Sequence, residues 1–249
     1  LLIGIIGAEG SGKSTLIQGL FPGLHLTNDD NGVNTVPAPI YNFSEEDFFS
    51  GHTFHIDIRY ESAFKQLYEI VEAVTYVISH GRRVVIEHFD LIYDSLGFNA
   101  QVLFGLGEEV IVARPSVFGP FPGGVKSIVD KTIKFRLMAH SAEDITSYIL
   151  KKDYNYKSSI LHSDVKHGFV MNFSELPSFA IEELEAKVND FISQDLAITP
   201  AAEDTIHIGD TPYFCTGTRT HVKSTGLIEH FRLLKDFKFN PITQEYMLI

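Results

Sequence analysis

The sequence predicts two domains of different class: an α/β domain with a parallel sheet over residues 1–124, followed by an α+β domain over residues 125–249. Three observations carry this. Before residue 118, short apolar runs (Leu2–Ile6, Val84–Ile86, Glu109–Ala113) lack polar alternation and are interleaved with helical patterns. Such runs suit parallel strands covered on both faces. The segment Phe118-Gly119-Pro120-Phe121-Pro122-Gly123-Gly124 holds Pro and Gly at a density that ends regular structure and marks a linker. Beyond it helices and short strand-like pieces follow one another without regular alternation.

The elements follow in order. Leu1–Gly7 is apolar, has no basic leader and runs directly into a glycine loop, so it reads as a buried strand and not as a signal peptide. The absence of an initiating Met suggests a processed start. Lys13–Leu20 reads as a helix. Residues 22–56 are rich in Asn, Asp, Pro and Gly, a long irregular excursion of the kind that often forms a binding loop. Tyr60–His80 carries Phe64, Leu67, Ile70, Val71, Val74 and Ile78 at helical spacing, and Gly81 stands where a helix would be capped. In the second half, Ile128–Leu150 predicts one long helix and Phe169–Phe173 a strand. Ile181–Asp195 predicts an amphipathic helix with Leu184, Val188, Phe191 and Ile192 on one face. Strand-like pieces fall around Thr205–Ile208, Tyr213–Cys215, Gly226–Leu234 and Glu245–Leu248.

Composition removes several classes. The 249 residues contain no apolar run of the roughly 18 residues that a membrane span needs, so no membrane partner is expected. Cys215 is the single cysteine; an internal disulfide is impossible, and a reducing cytoplasm is the expected compartment. A net charge of −12 argues against a broad basic surface for nucleic acid. The charge is uneven: residues 1–124 hold 6 of the 20 basic and 15 of the 32 acidic side chains. A nucleic-acid contact would therefore be local and in the second half.

Gly7-Ala8-Glu9-Gly10-Ser11-Gly12-Lys13-Ser14 fits G-x-x-x-x-G-K-[ST] at every fixed position, with a strand before it and a helix after it. Glycines let the backbone curl so that successive N–H groups face phosphate oxygens, and the following helix adds its positive end. The expected ligand is a nucleoside triphosphate, ATP with Mg²⁺. Gly7, Glu9, Gly10, Ser11, Gly12, Lys13, Ser14 and Thr15 form its cradle, Lys13 reaches the β and γ phosphates, and Ser14 ligates Mg²⁺. Val84-Val85-Ile86-Glu87-His88-Phe89-Asp90 ends a buried strand in acid, so Glu87 or Asp90 is the candidate to hold a metal-bound water or to act as base.

With these parts the first half resembles small P-loop kinases of the uridine kinase type. The resemblance implies that His55-Ile56-Asp57-Ile58-Arg59-Tyr60, ahead of the long helix, meets the acceptor, a nucleoside or other small molecule. Asp57 would accept the acceptor hydroxyl's proton and Arg59 would grip phosphate, with Arg114 and Arg136 as candidate charge stabilisers. The N-K-x-D of guanine-specific proteins and the L-S-G-G-Q of transporters are both absent.

The second half holds another constellation. Ile206-His207-Ile208-Gly209-Asp210 leads to Cys215-Thr216-Gly217-Thr218-Arg219-Thr220-His221-Val222 and then Ser224-Thr225-Gly226. Upstream stand His140-Ser141-Ala142-Glu143-Asp144, then Gly168–Phe173 and the helix after it. Over about residues 130–235 this order resembles the editing domain of alanyl- and threonyl-tRNA synthetases. On its own chemistry, His140 and Asp144 lie four residues apart on one helix face, and Cys215 with His221 would complete an N/S/O set suited to Zn²⁺. The chain departs from the family's pattern at Asp144, where the family has a second histidine, and in a Cys-to-His spacing two residues longer. His162 and His167 are spare candidate ligands, and Arg219 and Lys223 are candidate contacts for a tRNA backbone.

Two readings follow, with a third beside them. The first is an ATP-dependent phosphotransferase with an editing-like domain attached. The second is a metal-dependent hydrolase of mischarged tRNA, and the third a nucleotide-responsive tRNA-binding module. No segment resembles an aminoacylation core, so synthesis of alanyl-tRNA is not expected.

Overall fold

The computed structural model describes residues 1–26, 38–44, 51–156, 160–202, 205–215 and 220–249. It divides into two compact units, Leu1–Ile133 and Lys134–Ile249.

The first unit is mixed α/β, built on a five-stranded, mostly parallel sheet. Its strands are β1 (Leu2–Gly7), β2 (Thr53–Asp57), β3 (Arg83–Glu87), β4 (Val102–Leu106) and β5 (Val110–Ala113), in the order β2-β3-β1-β4-β5. β1 lies parallel to β3 and β4, and β2 parallel to β3. All six residues of β1 are buried, which is why its sequence is apolar without alternation. β5 is antiparallel to β4. Only Gly107, Glu108 and Glu109 separate them, and a parallel return needs a crossover of about a dozen residues or more.

Two strands of this sheet, β2 and β4, were not anticipated from sequence. β2 falls in the stretch expected to be irregular, of which residues 27–37 and 45–50 lie outside the described residues. Its polar residues His55 and Asp57 mask the apolar signal, yet both are buried. The helix expected over Tyr60–His80 is two helices, α2 (Ile58–Glu61) and α3 (Leu67–Ser79), after α1 (Lys13–Leu20). α2 starts early because Asp57 caps it. α3 starts afresh because Gln66 and Glu69 form a capping box. Gly81, at φ 74°, follows its end as expected.

A short α4 (Tyr93–Leu96) precedes α5 (Pro122–Asp153). Pro122, Gly123 and Gly124 were expected in a linker and instead open α5. Proline is tolerated there because the first helical N–H has no intrahelical partner to lose. The division between the units falls within the residues of α5.

Gly4 in β1 is a packing requirement. A Cβ there would lie 2.6 Å from Phe89 Cγ and 2.9 Å from Leu103 Cδ1, both side chains fully buried. Gly4→Val is expected to cost about 1–3 kcal/mol by overpacking. A urea midpoint of the first unit equal to wild type would remove this account.

The second unit is α+β. It holds the C-terminal part of α5, then β6 (Leu161–Val165), β7 (Gly168–Phe173) and α6 (Ile181–Ser193). After these come β8 (Ile198–Ala202), β9 (Thr205–Ile208), β10 (Thr211–Phe214), β11 (Lys238–Asn240) and β12 (Glu245–Leu248). One antiparallel sheet runs β11-β12-β7-β6 and a second runs β10-β9-β8. The core gathers Ala142, Ile145 and Ile149 of α5, Met171 and Phe173 of β7, and Leu184 and Val188 of α6. β6, β8 and β11 were not foreseen; most of their residues are polar or exposed, which leaves little apolar signal. Gly226–Leu234, expected as strand-like, has only a 3₁₀ turn at Thr225–Leu227. No helix among the described residues is long and apolar enough to cross a membrane.

Candidate functional site

In the first unit, the glycine loop joins β1 to α1. Gly10 and Gly12 adopt φ of 70° and 90°, a left-handed conformation that glycine takes without steric cost. A Cβ on Gly7 would collide with Ser11 Oγ and lie 3.2 Å from the Leu106 carbonyl oxygen. The curl therefore depends on these glycines. Glu9, Ser14 and Thr15 are exposed, whereas Lys13 folds inward and is buried. Its ammonium donates to the Ala8 carbonyl oxygen at 3.0 Å and lies 3.8 Å from Glu87 Oε2.

Sheet register brings the acids to this loop. Glu87 ends β3 opposite Ile5 of β1 on one side and Asp57 of β2 on the other. Glu87 is 1% exposed, and its Oε1 is 3.1 Å from His55 Nε2. Asp57 Oδ1 accepts from the backbone N–H groups of Arg59 at 2.8 Å and Tyr60 at 3.2 Å. His88 leaves β3 at φ 55° and is buried. Burial, followed by the charge of Lys13, holds its imidazole below the usual histidine range. One ligand atom each of Asp57, Glu87 and His88 lies within 4.8 Å of the other two. Buried carboxylates are costly unless compensated, and here Lys13 and the Asp57 cap supply part of the compensation.

Of the other candidates, Asp90 lies 3.6 Å from Lys126 Nζ and is not in this group. Arg59 and Arg114 are exposed. Arg136 belongs to the second unit, where it bridges to Asp164 at 2.9 Å. Sequence reasoning did not single out His55 and His88. The signals were present: His55 precedes Asp57 by two, on the same strand face, and His88 directly follows Glu87.

No protein-family model matches the chain, and no curated protein matches it.

The second unit gathers a different donor set. Asp144 of α5 lies with Oδ2 2.7 Å from His221 Nε2, and Cys215 is buried beside them. The three donor atoms are all within 4.8 Å of one another. The backbone N–H of Val222 donates to Ser141 Oγ at 3.0 Å, which ties the segment carrying His221 to α5. His140 shares the helix face with Asp144 but is not in the group. Its Nδ1 is 3.3 Å from the Thr220 carbonyl oxygen and its Nε2 is 3.3 Å from Asp164 Oδ1. Among the spare candidates, His162 Nδ1 lies 2.6 Å from Glu143 Oε1, and His167 stacks on Phe135 with ring centroids 4.3 Å apart. Lys223 is exposed, and Arg219 lies outside the described residues.

Proposed function

We propose that the first unit binds ATP with Mg²⁺ and transfers its γ-phosphoryl group to a hydroxyl of a small acceptor, as P-loop kinases of the uridine kinase type do. The observation that carries this reading is the convergence of Lys13 and Glu87, 3.8 Å apart, at a glycine loop whose following helix exposes the Ser14 and Thr15 hydroxyls. Lys13 can exchange its present partners, Glu87 and the Ala8 carbonyl, for phosphate oxygens. The loop amides and the N-terminal end of α1 add a positive field suited to the same anion.

The donor set fits a hard cation: Ser14 offers an exposed hydroxyl, and Asp57 and Glu87 offer carboxylates. A bound divalent ion would neutralise charge developing on the phosphate oxygens. Glu87 and Asp57 are the proton acceptors available to an acceptor hydroxyl, with His55 orienting Glu87 through its 3.1 Å contact. ATP affinity and phosphoryl transfer to a panel of nucleosides and small alcohols test the reading. Transfer to none of them, with no ATP binding by calorimetry, would overturn it.

For the second unit we propose a metal-dependent hydrolytic site for aminoacyl-tRNA, resting on the Asp144–Cys215–His221 group. One O, one S and one N ligand suit Zn²⁺ with a fourth position left for water. Such a zinc ion would lower the pKa of that water. Deacylation of mischarged alanine-family tRNAs by the full chain, with and without ATP, tests this reading. ATP-dependent tRNA retention without deacylation would favour the tRNA-binding module instead.

A further inference from the structure

His88 is the feature that phosphoryl transfer leaves unused. The residue follows Glu87 and turns out of β3 at φ 55°, a conformation uncommon outside glycine. It is 5% exposed, and its ring shares a 4.8 Å neighbourhood with the carboxylates of Asp57 and Glu87. Register places those two acids side by side on neighbouring strands, so the three donors arise from one end of the sheet. All three are buried. A site built only for Mg²⁺ needs oxygen ligands and retained waters, and an imidazole adds nothing to it. An imidazole with two carboxylates suits a first-row transition ion.

We propose that Asp57, Glu87 and His88 form a divalent-cation site that prefers a transition ion such as Mn²⁺ to Mg²⁺ and loads without nucleotide. The site shares Asp57 and Glu87 with the proposed phosphoryl-transfer centre, and His88 sets it apart; its loading without nucleotide does not rest on that reading. Lys13, 3.8 Å from Glu87, is the internal cation that competes with the metal. An anion that draws Lys13 away strengthens metal binding, and by linkage the metal strengthens anion binding equally.

The test is Mn²⁺ titration of the nucleotide-free full chain, read by electron paramagnetic resonance and calorimetry, with Mg²⁺ in parallel. Mn²⁺ is expected to bind at least about tenfold more tightly than Mg²⁺. His88→Gly and His88→Asn are each expected to weaken Mn²⁺ by about tenfold or more. Both replacements accept a positive φ, so far-UV circular dichroism should match wild type. Cys215→Ser leaves Mn²⁺ binding in place, which separates this site from the thiolate-containing group of the second unit. Lys13→Ala is expected to tighten Mn²⁺ at least several-fold by removing the competing charge. Equal Mn²⁺ and Mg²⁺ affinities, unchanged Mn²⁺ affinity in His88→Gly, or loss of Mn²⁺ in Cys215→Ser would each overturn the proposal. Failure of wild type to bind ATP would sink the phosphoryl-transfer reading alone.

Discussion

Lys13→Ala is expected to lower ATP affinity by about 100-fold and to abolish phosphoryl transfer, since a charge-assisted contact contributes roughly 1.5–3 kcal/mol and counts further where transferred charge develops. The side chain is buried at the glycine loop and lies within 3.8 Å of Glu87. The effect on turnover should exceed that on affinity, because the ammonium interacts more strongly with the charge of the transition state than with that of bound ATP. Calorimetry with a non-hydrolysable analogue measures the first effect, and transfer from labelled ATP measures the second. Turnover that persists in the variant would take Lys13 out of the mechanism. A fall in affinity with unchanged turnover would reduce it to a binding residue.

Purified protein is expected to carry about one equivalent of zinc, lost in Cys215→Ser. The thiolate is the ligand that distinguishes zinc from harder cations, and Cys215 has no second cysteine to substitute for it. His221→Ala should be the more damaging change to stability. It removes the imidazole that now stands 2.7 Å from the buried Asp144 carboxylate, and removing one partner of a buried pair costs about 3–5 kcal/mol. The two variants therefore separate metal from packing: Cys215→Ser loses zinc with a modest change in thermal midpoint, and His221→Ala loses both. Elemental analysis of protein prepared without chelator checks the metal, and thermal unfolding checks the rest. Absence of zinc in wild type would leave Asp144–His221 as a structural pair.

Much of this was legible before the fold. The strand–glycine-loop–helix start is local in sequence: the apolar run of β1, the loop glycines, Lys13 and α1 all fall within the first 20 residues. The strand carrying Glu87 was equally plain, because a buried parallel strand is an unbroken apolar run. β2 was not legible, since its polar residues His55 and Asp57 are buried only because the sheet brings Glu87 beside them. The single helix expected over Tyr60–His80 divides at a capping box whose signal, Gln66 and Glu69, is weaker than the apolar periodicity running across it.

The sequence by itself determined the residue types at both sites: a glycine loop with Lys13, an acid ending β3, and a lone cysteine followed six residues later by a histidine. Tertiary structure decided which of them meet. Parallel register set Asp57 beside Glu87, and the turn at His88 brought its ring to the same pair, while Asp90 lies against Lys126. The fold of the second unit set Asp144, Cys215 and His221 together, while His140, one turn away on the same helix, lies against Asp164 and the Thr220 carbonyl. The physical reason is that helical and strand periodicity fix which face a residue occupies, whereas the partner on that face arrives from far along the chain, 32 positions for His55 and Glu87 and 81 for Ser141 and Val222.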